Sequence, residues 1–137
     1  MLNADDRLAI VQTLSLNGHL VDDGDVDRFG ETFTSDVVYE LGAAGVGTAR
    51  GLEAVCAAAQ GMAKAGAGPL AHHVTNIVIT GGEGDTATAR SKVLLVMRTG
   101  KLESAIQRDT LRRDGGTWRI SHRVIAPLGD GAKEGER

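Results

Sequence analysis

The chain has 137 residues, the length of one domain, and a domain of this size buries enough surface to fold without disulfides or a structural metal. Eighteen acids against fifteen Lys and Arg leave a net charge of −3, and Phe29, Phe33, Tyr39 and Trp118 are its only Phe, Tyr or Trp residues. That balance excludes a basic nucleic-acid binder with base-stacking platforms, and the single cysteine, Cys56, excludes an internal disulfide or a Cys-rich zinc site.

The opening Met1–Ile10 stretch carries early acids and no apolar run, which predicts neither a signal peptide nor a membrane anchor, and so a cytoplasmic protein. From Asp5 to about Val21, Ile10, Leu14 and Val21 recur on one helical stripe that Val11 widens. Asn3 or Asp5 caps its start, and Gly24 supplies a left-handed stop. Asp25 then opens a second short helix through Phe29 and Phe33, closed by Thr34-Ser35-Asp36. Val37–Leu41 has the β-branched and aromatic content of a strand, Gly42–Gly51 is a glycine-rich connection, and Leu52–Ala65 is a third helix.

Beyond it the pattern changes to strands at His72–Gly81, Thr86–Met97, Leu102–Arg113 and Thr117–Ala126, separated by glycine turns. Helices followed by a run of antiparallel strands predict an α+β domain over residues 1–128, with a charged, glycine-rich tail at 129–137 expected to be disordered. The first 60 residues hold ten acids and three bases, and the remainder eight acids and twelve bases. This describes either an acidic helical layer on a basic sheet or arginines that hold an anionic ligand.

Few residues carry chemistry. Asp22 sits in the last turn of the first helix, where the helix dipole opposes its charge, so it requires either solvation or a cationic partner. Asn17 lies within the apolar stripe, as a buried amide bonded to backbone or as a group lining a cavity. His72 and His73 are adjacent in an extended segment and point to opposite faces. Regular alternation places His73 with Thr75, Ile77 and Ile79 on the core face, as a structural or a functional histidine, and His122 with Trp118, Ile120 and Val124. Cys56, in an alanine-rich helix, reads as buried filler.

Leu20-Val-Asp-Asp-Gly-Asp25, Phe33-Thr-Ser-Asp-Val-Val-Tyr39, His73-Val-Thr-Asn76, Arg108-Asp-Thr-Leu111 and Asp114-Gly-Gly-Thr-Trp-Arg-Ile120 together resemble SnoaL-like proteins of the nuclear transport factor 2-like superfamily. The resemblance is nearest to the scytalone dehydratase and hexachlorocyclohexane dehydrochlorinase type. It implies a cone, with about three N-terminal helices packed on a strongly curved antiparallel sheet around a pocket. It also implies a catalytic pair of Asp22 and His73, with Asn17, Tyr39 and Arg123 contacting substrate; the sequence carries no motif for a metal or organic cofactor, so none is expected. Asn17 departs from the tyrosine or lysine these enzymes carry there. Arg123 and Trp118 fall on opposite faces of a regular strand, so either a bulge intervenes or the Trp118 face packs on another subunit.

The expected function is a cofactor-independent, dehydratase-type lyase acting on a small hydrophobic metabolite. The alternatives are an isomerase or cyclase with the same pair, or a non-catalytic assembly subunit. Apolar residues on both faces of Val93–Met97 predict a homodimer or homotrimer, with neither nucleic acid nor membrane as partner.

Overall fold

The computed structural model describes residues 1–41 and 47–128. Its elements in chain order are helix α1 (Ala4–Asp23), a 3-10 turn (Val26–Glu31), strands β1 (Phe33–Leu41) and β2 (Gly47–Arg50), helix α2 (Leu52–Lys64), and strands β3 (Pro69–Glu83), β4 (Thr86–Met97), β5 (Leu102–Asp114) and β6 (Thr117–Pro127). The expected α+β layout of three helices on one sheet is what the chain adopts. Two expectations change in detail. The second helix is shorter, because Phe33–Asp36 already belong to β1. Within the glycine-rich connection, Gly47–Arg50 pair with β1 as a strand, while residues 42–46, like the 129–137 tail, lie outside the described residues.

The sheet has six strands in the order β2-β1-β6-β5-β4-β3 and is not closed. β3 to β6 form antiparallel hairpins as expected, but β1 joins β6 in parallel, which makes the sheet mixed. β3 carries three register shifts against β4 and β6 one against β5. Each adds a residue to one strand only, and bulges of this kind bend and coil a sheet.

Helix α1 lies on the inner face, between β3 and β6. Asn3 begins it with a reciprocal capping box to Asp6, and Gly24, at φ 67°, ends it in the left-handed region that glycine enters without cost. Ile10, Leu14 and Leu20 are fully buried against Phe29, Phe33, Val37, Leu111, Trp118 and Ile120. At the start of α1, Asp6 accepts from the Trp118 indole at 3.2 Å and pairs with Arg113 at 3.0 Å, while the Thr13 hydroxyl donates to the Trp118 carbonyl. These bonds fix one end of the helix against the β5–β6 hairpin. Its other end carries Asp22.

Candidate functional site

The Asp22 carboxylate accepts the backbone N–H of His72 on both oxygens, each at 3.0 Å, and meets the His72 Nδ1 at 2.6 Å. An acid at a helix C-terminus thus obtains the donors that the helix itself cannot offer. With Nδ1 donating to the carboxylate, the neutral ring has Nε2 as its acceptor. The two side chains keep 23% and 20% of their exposure, enough contact with water for protons to exchange.

The histidine against Asp22 is His72, where the resemblance pointed to His73. The cause is a register shift in β3. Val74 pairs with Val93 and Ile79 with Ala89, and both β4 partners are buried. Two outward residues, Thr75 and Asn76, separate the inward Val74 from Ile77, and Asn76 takes a positive φ of 52°. Extrapolating inward parity from Ile77 and Ile79 back through this extra residue selects His73, which in the fold is exposed beside Leu94.

A second bulge acts in β6. Ile120 pairs with Leu111 and His122 with Thr110, which leaves Ser121 as the extra residue. Trp118, Ile120 and Arg123 are consequently all buried, and this resolves the opposition of faces between Trp118 and Arg123 in favour of the bulge. His122 leaves the Trp118 face and bonds Glu40 instead.

Arg123 brings the other expected residues together. Its Nε and Nη2 donate to the two Asp109 oxygens at 2.7 and 3.3 Å, and its Nη1 donates to the Asn17 amide oxygen at 2.6 Å. The Asn17 amide nitrogen donates in turn to the Thr32 hydroxyl at 2.9 Å. The guanidinium carbon lies 5.7 Å from the Phe33 ring centre and 5.8 Å from that of Tyr39. Asn17 is therefore a buried amide held by side chains of an ion-pair network, and its side-chain bonds go to Thr32 and Arg123 rather than to helix backbone. Burial pushes the Tyr39 phenol up, and the positive charge of Arg123 opposes that shift. Burial likewise pushes the Asp109 carboxyl up against the pull of Arg123. Two N–H donors on its two oxygens hold that carboxylate in the ionised form.

Asp109, with Gln107 and Ser91 beyond it on the inner face, was missed from sequence. A signal for it existed. Counting back from the Asp114–Thr117 turn without a bulge sets Arg108 opposite Arg123, two like charges that repel; one extra residue in β6 substitutes Asp109. Cys56, read as filler, is half-buried and approaches the Val26 carbonyl at 3.6 Å.

The SnoaL-like domain family matches residues 3–124. The chain belongs to that family. Similar solved structures include a nuclear transport factor 2-like protein with a cystatin-like fold from Novosphingobium aromaticivorans, at 30% identity over 94% of this chain and 86% of that one, with a TM-score of 0.78. A protein of unknown function with a cystatin-like fold from Nostoc punctiforme is 27% identical over 94% and 96% of the two chains, with a TM-score of 0.81. Hexachlorocyclohexane dehydrochlorinase LinA-type3 from Novosphingobium barchaimii shares the fold at 20% identity, over 91% and 88%, with a TM-score of 0.75. No curated protein matches the chain in sequence. Among the described residues no helix is long and apolar enough to cross a membrane.

Proposed function

We propose that this SnoaL-like chain is a cofactor-independent lyase of the dehydratase type, with His72 as general base. The observation that carries the reading is the 2.6 Å contact between Asp22 and His72 Nδ1. Nε2 takes a proton from a carbon activated by a neighbouring carbonyl. The C–H electrons become the new C=C bond as the adjacent C–O bond breaks, and hydroxide leaves with that bonding pair. Asp22 fixes the tautomer and stabilises the imidazolium while it exists. Tyr39 and Asn17 line the inner face where the substrate oxygen would lie, and Arg123 acts through them. The substrate class is a small, largely apolar metabolite, and the compartment is the cytoplasm.

The test is a panel of β-hydroxy aryl ketones, whose dehydration gives an ultraviolet-absorbing enone. His72→Ala lowers turnover on the order of 10²–10⁴-fold, and His73→Ala leaves it near the parent rate. Asp22→Asn is also severely slowed, since an amide cannot stabilise the imidazolium. A fully active His72→Ala protein removes the mechanism.

The partner in this reading is a second copy, making a homodimer or homotrimer. Leu94 and Val78 stand exposed on the outer sheet face, which the helices do not cover. Light scattering that gives the monomer mass at micromolar concentration overturns this assignment.

A further inference from the structure

Tyr39, Arg123 and Asp109 occupy one rung of the sheet, since Arg123 is the register partner of Tyr39 in β1 and of Asp109 in β5. The Ser121 bulge places Arg123 on this rung with its side chain inward. All three guanidinium nitrogens are then engaged, two by Asp109 and one by Asn17, and the aromatic rings of Phe33 and Tyr39 lie beside it. A buried arginine in a pocket ordinarily recruits a carboxylate or a phosphate. Here that partner is built in. The pair has no spare charge to offer an anion, so an incoming carboxylate would have to displace Asp109 or remain uncompensated in a desolvated site. Arg123 also interacts with the Tyr39 oxygen, which leaves the Tyr39 O–H as the group on this rung able to donate one hydrogen bond.

We propose that Asp109 is the specificity-determining residue of the cone: it neutralises Arg123 and holds it beside Tyr39, so that the pocket takes an uncharged carbonyl oxygen hydrogen-bonded by Tyr39 and rejects carboxylates. The inference rests on the proposed pocket and is independent of which histidine acts as base.

The probes are acetophenone and benzoate, which share a ring and differ in charge, with binding followed by calorimetry. The parent protein binds acetophenone more tightly than benzoate. Tyr39→Phe weakens acetophenone about tenfold, the worth of one neutral hydrogen bond. Asp109→Asn reverses the preference: benzoate gains about tenfold or more, because the Arg123 charge is no longer cancelled. If Asp109→Asn does not fold, the charge-neutral double variant Asp109→Asn/Arg123→Met carries the test. It binds acetophenone about tenfold more weakly, like Tyr39→Phe, and shows no gain for benzoate. Benzoate bound as tightly as acetophenone by the parent overturns the proposal. So does an Asp109→Asn protein with unchanged preference, or a double variant that matches the parent on acetophenone. Since no turnover is measured, these outcomes stand apart from the fate of the lyase reading, which the His72→Ala rates decide.

Discussion

Two acid–base pairs sit on the inner side of this sheet, and they are built for opposite ends. Asp22 and His72 meet at the C-terminal end of α1 with about a fifth of each side chain still exposed. Asp109 and Arg123 meet under the sheet with 1% and 3% of their side chains exposed. The first pair is accessible, and its base is an imidazole, a side chain that can both take and give a proton. The second pairs a carboxylate with a guanidinium that never deprotonates in a protein, and water does not reach it. An Asp beside a base is therefore not one kind of feature. Exposure and the identity of the base decide whether the pair can move a proton or only hold its neighbours in place.

The largest effect that separates the pairs is on stability. Asp109→Asn leaves a buried guanidinium without its counter-charge, and we expect a loss of about 3–5 kcal/mol in urea unfolding. Removing both charges in Asp109→Asn/Arg123→Met recovers part of that loss, since no charge stays buried without its counter-charge, while the amides at positions 109 and 17 still lack their guanidinium donor. Asp22→Asn, at a site open to solvent screening, costs about 1 kcal/mol or less while abolishing most turnover. Equal stability losses for Asp22→Asn and Asp109→Asn would erase the distinction between a working pair and a holding pair.

The fold was largely legible because it rests on local signals. The capping box at Asn3, the left-handed Gly24 and the turns at Asp114–Thr117 and Glu83–Thr86 mark where elements begin and reverse, and the hairpin strands fall within a few residues of their expected bounds. The parallel pairing of β1 with β6 was not legible, because it joins segments more than 80 positions apart with no turn between them. The site was half legible. Asp22, Asn17, Tyr39 and Arg123 all reach the inner side of the fold, but the partner of Asp22 and the partner of Arg123 each lie one residue from where alternation puts them. Side-chain alternation has a period of two, so a single extra residue exchanges inside for outside over the rest of a strand. No residue type announces a bulge as a proline announces a helix stop. Ser121 and Asn76 are both ordinary strand-end or turn residues in sequence.

Asn76 offers the smallest and most pointed test of this account. Its φ of 52° lies in the left-handed region, where a β-carbon crowds the backbone. Asparagine tolerates that region better than most residues, and glycine has no β-carbon to crowd. Asn76→Gly should therefore leave stability within a few tenths of a kcal/mol, with the entropy cost of glycine offsetting the relief of strain. Asn76→Val places a β-branched side chain there and should cost about 1–2 kcal/mol. The side chain at position 76 faces outward, so neither change touches the core directly. The valine protein has a second way to relax: it can straighten the strand and give up the extra residue. His72 would then lose its inward position, and its hydrogen bonds to Asp22 with it. Nuclear magnetic resonance of the His72 ring nitrogens distinguishes the two. A preserved Nδ1–H bonded to carboxylate in Asn76→Val means that strain is borne and the bulge is held by the packing of Val74, Ile77 and Ile79. Loss of that bond, with unfolding free energy near the parent value, means that Asn76 itself sets which histidine Asp22 receives.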